Sequence, residues 1–149
     1  MARGRELPEI DLRTLPIDPI LRQALGANDE HASDAWRVLG AMAESERDEA
    51  GIFLLGLMRL HGGDLKRMTL LVDAVSSFRS RAAAEALKEE FYRVPSTPAS
   101  RTYLNEVLRA LTRLPAPLGR EACEKLADDE RLSVRWRRRF EEALWGLDS

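Results

Sequence analysis

The sequence predicts an all-α protein, a right-handed α-solenoid of about four antiparallel helix pairs, with an irregular helical bundle as the alternative architecture. Composition is the first observation: alanine, leucine, arginine and glutamate dominate and aromatics make up only 6%, so helix formers prevail along the chain. The second is an internal register. Capping residues Ser33, Asp64, Ser100 and Ser133 stand 31, 36 and 33 residues apart, and alanine lies ten positions beyond each, at Ala43, Ala74, Ala110 and Ala143. Position seven holds Gly40, Leu71, Val107 and Phe140. The third is punctuation, since Gly62-Gly63, Pro95 to Pro98 and Pro115-Ala116-Pro117 interrupt otherwise periodic apolar runs.

The whole chain, 1–149, reads as one domain, with residues 1–18 an extended N-terminal cap. Prolines Pro8 and Pro16 alternate there with Leu7, Ile10, Leu12, Leu15 and Ile17, which suits an extended stretch packed on the body. Asp18-Pro19 pairs a capping residue with proline at the first helical position and predicts a short helix over 19–25. The next helix, 33–44, buries Ala35, Trp36, Val38, Leu39, Met42 and Ala43. A tight turn leads to 46–61, where Ile52, Phe53, Leu54, Leu55, Leu57, Met58 and Leu60 go nearly all round the helix. That distribution predicts the most buried helix, ended by Gly62-Gly63.

Leu65, Met68, Leu71, Val72, Val75 and Phe78 keep the helical period over 64–78, and Ala83, Ala84, Leu87 and Phe91 keep it over 80–93. Pro95-Ser96-Thr97-Pro98 is the longest predicted loop. From Ser100, residues Tyr103, Leu104, Val107, Leu108, Leu111 and Leu114 fill an arc of roughly 140° at about 100° per residue, the cleanest amphipathic helix in the chain. Helices over 117–128, burying Leu118, Ala122, Cys123 and Leu126, and over 133–147 complete the series.

The turn and helix of Leu126-Ala127-Asp128-Asp129-Glu130-Arg131-Leu132-Ser133-Val134-Arg135, with Ala143-Leu144 beyond, resemble the turn and second helix of a HEAT-like repeat. In that family an aspartate occupies the turn and a Val-Arg pair opens the inner helix. The upstream segments lack Val-Arg, and Trp36-Arg37-Val38-Leu39-Gly40 instead resembles the opening of a tetratricopeptide repeat. Either resemblance implies a scaffold whose targets are set by surface residues.

A formal charge of −2 with 32% charged residues gives an evenly charged surface and no global attraction for polyanions. The longest apolar run, Ile52 to Met58, is far short of the roughly 20 residues that cross a bilayer. With a single cysteine and no apolar stretch in the first residues, the expected location is cytoplasmic.

The residues offer no catalytic constellation. His31 reads as part of a polar loop, His61 as a structural residue at a helix C-terminus, and Cys123 as a small core hydrophobe rather than a reactive thiol. No His/Cys spacing suits zinc, Asp128-Asp129-Glu130 reads as a solvated turn, and no glycine pattern cradles phosphate, so neither metal nor cofactor is expected. One charge anomaly stands out: Arg131, Arg135, Arg137, Arg138 and Arg139 surround Trp136 and Phe140. Arg135, Arg138 and Arg139 share a sector roughly 100° wide, opposite a core-facing stripe of Trp136, Phe140, Ala143, Leu144 and Leu147. Trp145 falls about 20° from Val134 and should be exposed.

The sequence therefore points to a non-enzymatic protein-interaction module, with Val134, Arg135, Arg138, Arg139 and Trp145 as its partner-binding residues. The alternative is a nucleic-acid-binding subunit that uses the same arginines, whose planar donor forks suit carboxylate or phosphate.

Overall fold

The computed structural model describes residues 11–148, and every regular element among them is a helix. These are α1 Asp18–Ala24, α2 Asp29–Glu44, α3 Asp48–Leu60, α4 Leu65–Val75, α5 Arg81–Arg93, α6 Arg101–Arg113, α7 Ala116–Ala127 and α8 Val134–Asp148. Four of them start on a side chain that accepts a hydrogen bond from the backbone N–H three residues on, satisfying a donor the helix cannot. Asn28 accepts from His31 at 3.0 Å, Asp64 from Arg67 at 3.2 Å, Ser80 from Ala83 at 3.3 Å and Ser133 from Trp136 at 3.2 Å.

Two of the sequence-predicted caps do other work. α2 begins a turn early, capped by Asn28, so Ser33 lies inside the helix and donates to the Glu30 carbonyl at 3.0 Å. His31 accordingly sits in the first turn of α2, not in a loop. Ser100 turns its hydroxyl back into the preceding loop, donating to the Pro95 carbonyl at 2.6 Å and accepting from the Thr97 N–H at 2.9 Å. Asp18 is the first residue of α1, whose cap position is Ile17.

The expected extended N-terminal cap is replaced, over its described part, by a turn in which the Thr14 and Leu15 N–H groups both donate to the Asp11 carbonyl at 3.1 Å. Leu12, Leu15 and Ile17 pack on the core as expected. The Arg47 guanidinium fastens this turn by donating to the carbonyls of Leu12, Arg13 and Leu15 at 3.1, 3.3 and 2.8 Å. Leu7, Pro8 and Ile10 lie outside the described residues.

α3 is not covered on all sides. Its core face carries Ala50, Gly51, Leu54, Leu57 and Met58, while Ile52 and Leu60 are 62% and 63% exposed. Its neighbours, α2, α4 and α5, leave the opposite side open. Gly51 is required where it stands, because a Cβ there would collide with the Phe78 ring that covers this turn of the helix.

Each helix packs against others close to it in the chain: α2 on α1, α3 and α4, α6 on α4, α5, α7 and α8, and α5 on α3 and α7. An arginine of each later even-numbered helix reaches back to the one before. Arg67 donates to Asp29 with its Nε at 2.9 Å, while Arg113 pairs with Asp73 and Arg139 with Asn105. The first tie joins helix starts and the second joins helix ends, so α2, α4 and α6 run in the same direction. A Cβ on Gly40 would stand 3.1 Å from the Ala74 carbonyl oxygen, so position seven of one segment faces the position-ten alanine of the next. The core running through these contacts is continuous, with Trp36, Tyr103 and Phe140 its largest fully buried side chains.

Candidate interaction surface

The rotation of α8 about its axis is set by an aromatic cluster. Phe91 of α5 meets the Trp136 and Phe140 rings edge-on, at 5.3 and 4.8 Å between centroids, and the Trp136 indole N–H donates to the Ser96 hydroxyl at 2.9 Å. With that face fixed inward, the opposite one carries Val134, Arg135, Arg138 and Trp145 into solvent. Val134 is 61% exposed and Trp145 71%.

The fifth sequence-predicted residue, Arg139, is drawn away from this stripe. Its guanidinium lies over the Trp136 ring, 5.0 Å from the centroid, and donates to the Asn105 side chain. Arg131 is also engaged, through a clasp the sequence did not reveal. The Tyr92 hydroxyl donates to Asp129 at 2.5 Å, the Arg131 Nη2 donates to the same carboxylate at 2.7 Å, and the guanidinium covers the Tyr92 ring at 4.5 Å. Asp129 is therefore no free member of a solvated turn: hydrogen bonds from Arg131 and Tyr92 hold its carboxyl well below the usual carboxylate range. Burial, aided by the bond to Asp129, pushes the Tyr92 phenol up to about 12. Of the five arginines around Trp136, Arg131, Arg135 and Arg138 are exposed, the first of them held by Asp129, and Arg137 and Arg139 are half-buried.

A groove of about 500 Å³ between α3 and α5 escaped the sequence reading. Leu55 and Met58 on one side and Ala82 and Ala86 on the other form its apolar lining, with Glu85 and Glu89 along α5 and Arg59 on α3. Beneath it, the buried Glu90 carboxylate accepts from the Tyr103 hydroxyl at 2.5 Å and from Arg93 at 2.6 and 2.8 Å. Arg93 also donates to the Gly62 carbonyl at 3.0 Å and so closes one end. The available signal was the excess of apolar residues round α3, more than one core face uses, but periodicity alone does not show which face is left over.

His61 caps the C-terminal end of α3 with its ring 5.8 Å from Trp36, and burial followed by the nearby Arg67 guanidinium pulls its pKa down. Cys123 is fully buried, and burial alone pushes its thiol up to about 11, where little thiolate forms at neutral pH. Among the described residues no group of three or more His, Cys, Asp or Glu side chains is placed to hold a metal ion, and no helix is long and apolar enough to cross a membrane. Comparison with protein-family models, curated proteins and solved structures finds no match.

Proposed function

We propose that this chain is a small α-solenoid of HEAT-like helix pairs that works as a non-enzymatic protein-binding module, its partner held on the outer face of α8. The solenoid reading is supported by packing that stays between near neighbours in the chain and by the even-numbered helices tied side by side through Arg67, Arg113 and Arg139. The observation that carries the binding reading is Trp145, 71% exposed, in line with Val134 and beside Arg138. Tryptophan and arginine dominate interface hot spots because a large apolar area and a planar donor fork are presented together. Nucleic acid is the weaker reading. Two of the five arginines are engaged within the fold, and the formal charge of −2 offers no long-range attraction for phosphate.

The test compares capture from nuclease-treated lysate by the wild-type chain and by a Trp145→Ala, Arg138→Glu variant of equal thermal stability. Proteins retained by the first and lost from the second are the expected result. Retention of the same proteins by both would overturn this placement of the surface. Steeply salt-dependent binding of labelled nucleic acid, weakened by reversing Arg135 and Arg138, would overturn the choice of partner.

A further inference from the structure

We propose that the groove between α3 and α5 receives the outward stripe of α8 from a second copy of this chain, an inference that rests on the protein-binding reading of that stripe. The chain presents two apolar surfaces on separate elements: the stripe with Val134 and Trp145, and the groove lined by Leu55, Met58 and Ala86. They do not meet within one molecule, since α8 turns its Trp136 and Phe140 face to Phe91 of α5 and carries the stripe on the opposite side.

Charge order supplies the complementarity. Along α5 the groove presents Glu85, Glu89 and then Arg93, with Arg59 across from it on α3. Along α8 the stripe presents Arg135, Arg138 and then the exposed Glu141 and Glu142. At about 1.5 Å per residue, Glu89 to Arg93 and Arg138 to Glu142 both span about 6 Å along the axis. A parallel docking thus sets Arg138 on Glu89 and Arg135 on Glu85, which also pairs with Lys88, and brings the two stripe glutamates toward Arg59, while Arg93 stays with Glu90 and the Gly62 carbonyl. An antiparallel docking on the same two glutamates carries Glu141 and Glu142 toward the start of α5, away from Arg59, and leaves Trp145 off the Gly62-Gly63 end. In the parallel register Trp145 falls about 10 Å beyond Arg138, over the Gly62-Gly63 turn, where a side chain on Gly63 would meet only open space.

Groove and stripe are different patches, so the contact is heterologous, and a pair of copies still presents one groove and one stripe, on opposite members. Sedimentation velocity of the full chain, from about 1 to several hundred μM, reads the result directly; at these concentrations a weak heterologous contact becomes populated. The wild type should grow in mass with concentration and lose that growth in high salt. Two charge reversals, Arg135→Glu with Arg138→Glu on the stripe and Glu85→Arg with Glu89→Arg in the groove, should each leave a monomer. Mixed together, they should associate again, because the intact stripe of one fits the intact groove of the other and the two reversed patches are once more opposite in sign. Trp145→Ser, at an exposed site, and Glu89→Arg alone repeat the comparison with little risk to folding.

Three outcomes overturn the proposal: a wild type that stays monomeric throughout, a groove variant that still associates, or a mixture that stays monomeric. If the wild type is monomeric yet captures other proteins through Trp145, self-docking falls and the binding module stands. If Trp145 affects neither measurement, both fall.

Discussion

Asp129 and Tyr92 give the molecule a pH dependence whose sign follows from their shifts. A carboxyl held low in the fold stabilises it above its unfolded pKa, about 4, and that contribution fades as pH falls below it. A phenol held up to about 12 stabilises the fold below its unfolded pKa, about 10, and that contribution fades as pH rises toward 12. Tyr92→Phe should therefore lower the urea midpoint by a constant amount between about pH 5 and pH 9, with the gap to wild type shrinking on either side. A gap that does not change from pH 3 to pH 11 would mean that the Tyr92 hydroxyl is not bonded to Asp129. At this scale the sequence was partly legible. Azimuth alone placed Trp136 inside and Trp145 outside, because both lie on one rigid helix. It did not show that Arg139 turns onto Trp136 and Asn105, or that Arg131 closes on Asp129, since Asn105 and Tyr92 lie on other helices brought near only by folding.

At the scale of the element, α3 holds two glycines with opposite demands. Gly51 lies under the Phe78 ring and Gly56 faces open space. Gly51→Ala forces that ring to move, at a cost that exceeds the helix-propensity gain and leaves a net loss of about 1–2 kcal/mol. Gly56→Ala meets nothing and should gain about 0.5–1 kcal/mol by removing backbone freedom from the unfolded chain. Urea melts of the pair check both, and similar effects for the two would show that Phe78 does not cover α3. α6 provides a third measurement. Its apolar arc is buried as its periodicity predicts, and Leu108→Ala should cost about 2–5 kcal/mol, the range for truncating a core leucine. A loss under about 1 kcal/mol would place that face in solvent. α6 was legible because its apolar residues fill one arc and no more, whereas those of α3 exceed the face that its neighbours cover. Helix starts were legible where a side-chain cap stands alone, as at Asp64 and Ser133. The start of α2 was not, because Asn28 and Ser33 both qualify and only the packing of α2 on α1 chooses between them.

At the scale of the molecule, the helical class and the recurring alanines carried over into the structure. Ala43, Ala74 and Ala110 are buried, each on an even-numbered helix that packs against the next, while the fourth, Ala143 on α8, is half-buried. The groove between α3 and α5 was out of reach, since it arises from the separation of two helices and no single segment encodes it. Packing confined to near neighbours also has a consequence in time. When partners lie close along the chain, little loop entropy is lost before a contact forms, and helical proteins of this kind fold within microseconds to milliseconds. During synthesis, α1 can settle on α2 as soon as both have left the ribosome, and α4 can dock on α2 and α3 before α6 exists. Phe91 is the exception. It waits for Trp136 and Phe140, which are made more than forty residues later, so a ribosome stalled between α5 and α8 would hold out a chain with that aromatic surface uncovered, open to chaperones.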